Sequence, residues 1–165
     1  MFRNILVSTD GSAHANRALD EAIDLARSEH ARLTVLTAVA PPSNWAYAAP
    51  SAAAAVTQLC DEKEREAREI IADAVRRVPD DVSVTTIITH DPVADAILRR
   101  VREEHHDLVV MGSRGRGAVR SAPLGSVSHH ILHHSPVPVL IVHGPDDVAD
   151  AGAEGAPESE VIASG

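Results

Sequence analysis

Five short apolar segments, separated by stretches with helical periodicity, constrain the fold of this chain more than any other feature. The segments are Asn4 to Ser8, Arg32 to Val39, Val82 to Ile88, Leu108 to Met111 and Val137 to Val142. Most of them are apolar at consecutive positions, which is typical of strands that helices cover on both faces, as in a parallel sheet.

Helical segments occupy the intervals between these strands. The first follows Ser12, its expected N-cap, and repeats apolar residues on one side from Ala15 to Ala26. The others are expected at about Gln58 to Val78, Pro92 to Glu104 and Ser126 to His134. The alternation predicts an α/β fold with an open, doubly wound, five-stranded parallel sheet and helices on both faces.

Size and composition narrow the class of protein. At 165 residues the chain is long enough for one domain with a sizeable core. Its only aromatic residues are Phe2, Trp45 and Tyr47, so the core must consist of Val, Ile, Leu and Ala. Nucleic-acid modules that stack bases need exposed aromatic side chains, and we therefore expect no nucleic-acid partner.

The acidity of the chain is concentrated at its end. Six of the 24 Asp and Glu residues lie after His143, where Lys and Arg do not occur. The preceding part carries 18 acidic and 15 basic residues, which indicates neither a basic nor a strongly acidic surface. We expect one folded domain over residues 1–143 and a disordered acidic tail over 144–165, because the tail has too little apolar surface to bury.

Two further features bear on mobility and location. The connection from Pro41 to Ala55 is long and irregular, and it is either a mobile connection or a loop that covers a site. Cys60 is the only cysteine, and the sequence shows neither a basic-plus-apolar leader nor an apolar run of about 18 residues. We therefore expect a cytoplasmic protein with no membrane partner.

A glycine-rich loop follows the fourth predicted strand. It reads Gly112-Ser113-Arg114-Gly115-Arg116-Gly117, and Gly125-Ser126-Val127-Ser128 opens the helix after it. Glycines let backbone N–H groups turn inward without Cβ clashes, and a helix start adds unpaired N–H donors and positive dipole. This arrangement indicates a phosphate site.

The position of the loop separates it from the best-known phosphate-binding motifs. The dinucleotide-binding GxGxxG follows a first strand, whereas here GxxGxG follows the fourth. A Walker motif requires a lysine, and Lys63 lies far from the glycines. The first strand delivers Asp10-Gly11-Ser12, and this loop meets the glycines if the first and fourth strands are neighbours.

The spacing of Gly112, Gly115 and Gly125-Ser126 resembles G-x2-G-x9-G-[S/T], the motif of the ATP-binding branch of the universal stress protein family. The resemblance covers nearly all of the chain before the tail, including NILVSTDGS, DLVVMGSRGRG and GSVSHHILHHSPVPVLIV in the expected order. It implies a Rossmann-like sheet of order 3-2-1-4-5, ATP between the ends of the first and fourth strands, and a homodimer.

The resemblance also implies roles for single residues. Gly112 and Gly115 would line the ribose and phosphates, and Gly125, Ser126 and Val127 would bind phosphate at the helix start. Asp10 matches the acid after the first strand, and Val39 matches the apolar residue at the end of the second strand that flanks adenine. The nucleotide site predicted in this way comprises Thr9, Asp10, Gly11, Val39, Met111, Gly112, Arg114, Gly115, Arg116, Gly117, Gly125, Ser126, Val127 and Ser128.

The charged residues of this site leave alternatives open. A triphosphate repels Asp10 unless its carboxylate accepts ribose hydroxyl groups or faces a nucleotide-bound Mg²⁺. The other possibility is that Asp10 caps the first helix in place of Ser12. Arg114, Arg116 and Arg120 either bind the phosphates or point to solvent.

The histidines and the cysteine outside the loop have their own expected roles. His129, His130, His133 and His134 form i, i+4 pairs that either chelate a metal or lie on an amphipathic helix with Ile131 and Leu132 inward. His105 and His106 are expected to face solvent, and Cys60 to be a buried residue on the long helix.

The function that these features favour is a nucleotide-dependent stress-response regulator with slow or no ATP hydrolysis, because the sequence lacks the usual phosphoryl-transfer residues. One alternative is an interaction module that binds AMP or cyclic AMP, or that acts without a nucleotide. The other is a nucleotidyl- or phosphotransferase, which would need a second pocket for the acceptor. The segment Val137 to Val142 carries Pro138, which is typical of an edge strand, so we expect a homodimer paired through it. The sequence identifies no downstream partner.

Overall fold

The computed structural model describes residues 1–39, 53–117 and 124–144. Strands β1 (Asn4–Ser8), β2 (Arg32–Ala38), β3 (Val84–Thr89), β4 (Leu108–Gly112) and β5 (Val139–Val142) alternate with helices α1 (Ala13–Glu29), α2 (Ala53–Arg77), α3 (Val93–Glu103) and α4 (Ser126–His134). The predicted alternation of strands and helices is confirmed.

The strands form one parallel sheet in the order β3-β2-β1-β4-β5, which confirms the expected fold and strand order. Strand β1 lies between β2 and β4, and Ser8 pairs with Leu36 on one side and Met111 on the other. Because the strand order reverses at β1, a crevice opens at the carboxyl ends of β1 and β4. The loops that carry Asp10 and the glycines both leave the sheet there.

Apolar side chains cover both faces of the central strands. Ile5 and Val7 of β1 pack in the layer formed with α1 and α2, while Leu6 packs with Ile97 and Ile131 in the layer formed with α3 and α4. All five side chains are fully buried. The unbroken apolar sequence of β1 follows from this arrangement, because successive residues of a strand point to opposite faces.

Helix α1 begins as its sequence predicts. The Ser12 side chain accepts a hydrogen bond from the Ala15 N–H at 3.3 Å, which confirms Ser12 as the N-cap. The helix ends at His30, which has the left-handed conformation (φ 55°) that glycine more often adopts at this position. The first turn of α1 is therefore fixed directly beside the crevice.

The largest differences from the predicted element boundaries are at α2, β3 and β5. Helix α2 begins at Ala53 instead of Gln58, because alanine is the strongest helix former and the alanine run extends the helix. Strand β3 is Val84–Thr89 instead of Val82 to Ile88, and β5 begins at Val139. The rest of the long connection, from Pro41, and the tail beyond Gly144 lie outside the described residues.

Three expectations about side-chain exposure are wrong. His106 is buried, and its Nδ1 donates to the Arg100 carbonyl at 3.1 Å while Nε2 accepts from the Thr34 hydroxyl at 3.0 Å. Cys60, on α2 as predicted, is only half-buried. Leu132 is 47% exposed, because it lies about 100° around the helix from the buried Ile131.

Strand β5 is an edge of the sheet, and its side chains alternate. Val139 and Ile141 are partly buried against the α3 and α4 layer, whereas Leu140 is 37% exposed. Pro138 precedes the strand, and its carbonyl accepts a hydrogen bond from the Val109 N–H at 3.1 Å. Leu140 is therefore the apolar side chain that β5 presents to solvent.

Within residues 1–39, 53–117 and 124–144, no helix combines the length and apolar character required to cross a membrane.

Candidate functional site

A cavity of about 660 Å³ opens at the carboxyl ends of β1 and β4, a size suited to a small ligand. Its walls come from the loops after β1 and β4, the end of β2, the start of α4 and one face of α2. Twelve of the predicted site residues line it: Asp10, Val39, Met111, Gly112, Arg114, Gly115, Arg116, Gly117, Gly125, Ser126, Val127 and Ser128.

Asp10 joins the two loops that meet at the crevice. Its Oδ1 accepts a hydrogen bond from the Ser12 N–H at 3.0 Å, and its Oδ2 accepts one from the Arg116 N–H at 2.8 Å. The alternative that Asp10 replaces Ser12 as the helix cap is therefore wrong. Each carboxylate oxygen accepts more than one hydrogen bond, so Asp10 still has acceptor sites for a ligand.

Gly115 allows this contact between the loops. A Cβ on Gly115 would stand 2.7 Å from Asp10 Oδ2, which is closer than two such atoms approach without a clash. By contrast, a Cβ on Gly117 would meet no atom within 4 Å. Gly115 and Gly117 therefore differ in the space that the fold leaves for a side chain.

The remaining predicted residues of the β1 loop, Thr9 and Gly11, do not line this cavity but shape the turn. Thr9 is buried, its N–H donates to the Leu36 carbonyl at 2.9 Å, and its hydroxyl accepts from the Gly11 N–H at 3.2 Å. Gly11 has a φ of 75°, a conformation that residues with a Cβ rarely adopt. These two residues position Asp10.

Gly112 packs strand β4 against the first turn of α1. A Cβ on Gly112 would lie 2.8 Å from the backbone carbonyl carbon of His14 and 3.0 Å from the Ala15 nitrogen. Its own carbonyl accepts a hydrogen bond from the buried Ser128 hydroxyl at 2.9 Å. The Ser128 side chain therefore joins α4 to β4. The group of Ser128 that could contact a ligand is its backbone N–H.

The start of α4 offers backbone donors to the cavity. Gly125 occupies the N-cap position and makes no side-chain cap, while its N–H donates to the Ser113 carbonyl at 2.8 Å. The N–H groups of Ser126, Val127 and Ser128 have no acceptor within the helix, because the first turn of any helix lacks one. Together with the positive end of the helix dipole, they form a site for an anion.

Helix α2 contributes a charged wall that sequence reasoning missed. Glu66 of α2 forms ion pairs with Arg116 of the glycine loop and with Lys63, the latter at 3.3 Å. Hydrogen bonds from Arg116 and then Lys63 lower the pKa of the Glu66 carboxyl below its ordinary value of 4.5. The spacing of Lys63, Glu66 and Ile70 places them on one face of a helix, and all three line the cavity. This shared face is the feature of the sequence that could have indicated their place in the site.

The predicted arginines have different surroundings. Arg114 is half-buried and lines the cavity, whereas Arg116 is exposed on the loop and is held by Glu66. The ion pair with Glu66 shows that Arg116 does not simply point to solvent, while its predicted contact with phosphate stays a prediction. Arg120 lies outside the described residues.

The β2 side of the cavity is apolar. Val39 is 8% exposed, and its N–H donates to the Thr89 carbonyl at 2.8 Å, which fixes the chain just beyond β2. Met111 and Val93 line the same cavity. A ligand in it therefore meets apolar surface on one side and N–H donors and charges on the other.

The four histidines of α4 lie on its exposed surface. The rings of His129 and His133 are 4.6 Å apart, and those of His130 and His134 stack at 4.2 Å. The part of the chain that the structure describes contains no group of three or more His, Cys, Asp or Glu side chains arranged to hold a metal ion.

Comparison with known proteins agrees with this architecture. The model of the universal stress protein family matches residues 1–143. The chain belongs to this family. A universal stress protein of Thermus aquaticus is 37% identical over 142 residues, and universal stress protein YxiE of Bacillus subtilis is 33% identical over 147. Each comparison covers 86% of this chain and 99% of the relative.

Solved structures of universal stress proteins share the fold. UspA from Lactobacillus plantarum matches with a TM-score of 0.76 at 24% identity, covering 86% of this chain and 97% of the other. A universal stress protein in complex with cyclic AMP matches with a TM-score of 0.55 at 25% identity, with the same coverage.

Proposed function

We propose that this universal stress protein binds an adenine nucleotide, ATP in the first place, in the 660 Å³ cavity. The observation that carries the proposal is the convergence of the α4 start, the glycine loop and Asp10 on one cavity. Backbone N–H groups at a helix start bind phosphate without a lysine, so the absence of a Walker motif does not count against ATP.

The cavity accommodates each part of the nucleotide. The N–H groups of Ser126 and Val127 receive the phosphates, with Arg114 and Arg116 supplying positive charge. Asp10 receives ribose hydroxyl groups or faces a nucleotide-bound Mg²⁺, which prefers carboxylate and phosphate oxygens. The adenine ring packs on the apolar side at Val39.

We infer a regulatory role with slow or no hydrolysis. Hydrolysis needs a base within hydrogen-bond reach of the attacking water. The carboxylates on the described cavity walls are Asp10, which accepts two backbone N–H groups, and Glu66, which is paired with Arg116 and Lys63. A nucleotide that competes with Glu66 for Arg116 changes the conformation of the glycine loop. The protein acts as a cytoplasmic homodimer paired through β5, and a partner protein recognises the changed loop.

AMP or cyclic AMP is the second candidate ligand. The carboxylate of Asp10 lies beside the glycine loop, and its negative charge repels a triphosphate more strongly than a single phosphate. The solved relative in complex with cyclic AMP supports the same reading. A ligand with one phosphate uses the apolar side, the ribose contacts and only part of the α4 donors.

The proposal is tested by identifying the nucleotide that purified protein releases on denaturation, followed by thermal shifts with ATP, ADP, AMP and cyclic AMP, with Mg²⁺ or with EDTA. Nucleotide at 100 times its Kd stabilises the protein by about 2.7 kcal/mol. GTP is the control, since it has the phosphates of ATP and a different base. Stabilisation by AMP and cyclic AMP alone selects the second candidate, and no shift with any adenine nucleotide contradicts both.

A further inference from the structure

A second cavity, of about 400 Å³, lies between the start of α1 and the second half of α2. The charged residues that line it are Arg76, Arg77 and Arg116 against one carboxylate, Asp73. Its lining therefore carries an excess of positive charge, although the chain as a whole is acidic. Such a lining favours an anionic ligand.

Arg116 separates this cavity from the nucleotide cavity. The side chain lines both cavities, as does Ile70, and its guanidinium is held by Glu66. One guanidinium nitrogen lies 2.9 Å from the point where a Cβ on Gly11 would stand, so the side chain passes directly over Gly11. Movement of Arg116 away from Glu66 would join the two cavities.

The other two arginines are held by weak, replaceable pairs. Arg76 pairs with Asp73 on the same helix, and both side chains are about two-thirds exposed. Arg77 pairs with Asp20 and donates to the Asn16 carbonyl at 3.3 Å. Exposed ion pairs contribute about 0–1 kcal/mol, whereas a phosphate offers more charge and more acceptor oxygens than one carboxylate.

We propose that the second cavity is an anion subsite for the distal phosphates of an adenine nucleotide whose phosphate chain is longer than that of ATP. Arg116 moves from Glu66 to the phosphates that pass over Gly11, and Arg76 and Arg77 bind those at the far end. The planar guanidinium groups match pairs of phosphate oxygens. This inference rests on the proposed function, because the base and first phosphates occupy the nucleotide cavity.

The test compares ATP with adenosine 5′-tetraphosphate by calorimetry on the full chain. We expect the tetraphosphate to bind about tenfold more tightly than ATP, the effect of one or two charge-assisted hydrogen bonds. R76A should remove most of this gain and leave the Kd for ATP unchanged. R65A is the matched control, because Arg65 and Arg76 lie on α2, pair with acidic residues of that helix and are 70% and 69% exposed.

Arg77 also holds α1, so R76A is the deciding variant and R77Q is an addition to it. The subsite is overturned if the tetraphosphate binds no more tightly than ATP, or if its advantage over ATP is the same in R76A as in the wild type. In either case, binding of ATP still upholds the proposed function. If ATP itself does not bind, the proposal that ATP is the ligand fails, and inorganic tripolyphosphate tests the subsite alone. The subsite is supported if tripolyphosphate stabilises the wild type against heat more than it stabilises R76A. It is overturned if tripolyphosphate stabilises neither protein, or stabilises both equally.

Discussion

Asp10 Oδ2 accepts a hydrogen bond from the backbone N–H of Arg116 at 2.8 Å, which joins the loop after β1 to the loop after β4. The two residues are 106 positions apart in the chain. Since the other oxygen of Asp10 accepts the Ser12 N–H, one side chain sets the separation of the two loops. The shape of the cavity therefore depends on this carboxylate.

Replacing Asp10 with alanine should destabilise the protein and weaken ATP binding. The partly buried Ser12 N–H and the exposed Arg116 N–H lose a charged acceptor, and we expect a loss of about 1–3 kcal/mol in the free energy of unfolding, measured with urea. The affinity for Mg·ATP, measured by calorimetry, should fall at the same time because the glycine loop moves and a ligand contact is lost.

Asp107→Ala is the matched control for this experiment. Asp107 also accepts two backbone N–H groups, from Arg3 at 2.7 Å and Asn4 at 3.0 Å, but at the opposite ends of β1 and β4. It should cause a comparable loss of stability and leave the affinity for ATP unchanged. Equal ATP affinities in D10A and D107A would remove Asp10 from the site.

Gly115→Ala should lower the affinity for ATP much more than Gly117→Ala. The Cβ added at position 115 would meet Asp10 Oδ2 at 2.7 Å and force the loops apart, whereas the one at position 117 meets open space. Loss of the hydrogen bond between the loops corresponds to about a fivefold to tenfold weaker Kd. Thermal shifts over an ATP titration measure both variants, and equal effects would refute this role of Gly115.

Glu66→Gln should increase the affinity for ATP more than that for cyclic AMP. The substitution removes a negative charge from the cavity wall and releases Arg116 and Lys63 to the phosphates. We expect a gain of several-fold for ATP and a smaller one for cyclic AMP, which carries one phosphate charge. Glu69→Gln is the control, since Glu69 pairs with Arg65 on the same helix at 3.9 Å and lines neither cavity. A weaker affinity for ATP in E66Q would show that Glu66 supports the bound state.

The pH dependence of the Glu66 ion pairs follows from its lowered pKa. A depressed pKa means that the pairs stabilise the folded protein above the ordinary value of 4.5, and that this contribution is lost as the pH falls through the lowered pKa. Urea titrations from pH 7 to pH 3 should show a smaller acid loss of stability in E66Q than in E69Q. Identical profiles would exclude a contribution of the Glu66 pairs.

Leu140→Glu should dissociate the proposed homodimer. Leu140 is the exposed apolar side chain of β5, so a charge there opposes pairing without entering the core. Val139 and Ile141 are unsuitable for this test because they pack against the α3 and α4 layer. Sedimentation of L140E should give a monomer and that of Leu132→Glu, on α4, a dimer. A monomeric wild type, or a dimeric L140E, contradicts pairing through β5.

The sequence predicted the parts of the fold and site that depend on local pattern. Consecutive apolar residues in β1 and β4 reflect burial on both faces of a parallel sheet, and Ser12 caps α1 as its side chain predicts. The loops that line the cavity were predictable because they leave the carboxyl ends of adjacent strands. The strand order itself came from the resemblance to the family.

The parts that were not predicted depend on how elements pack. Glu66 faces the cavity because of the rotation of α2 about its own axis, which sequence spacing alone does not set. His106 is buried because the chain turns at His105, whose φ of 54° places a non-glycine residue in the left-handed region. Both are tertiary properties that override local polarity.

The central claim is that the α4 start and the glycine loop bind the phosphates of an adenine nucleotide. A titration of ¹⁵N-labelled protein with Mg·ATP, followed by amide NMR, tests it residue by residue. We predict that the N–H signals of Gly115, Ser126 and Val127 shift together, with one Kd equal to that from calorimetry. Unchanged signals of these three amides at saturating ATP would contradict the account.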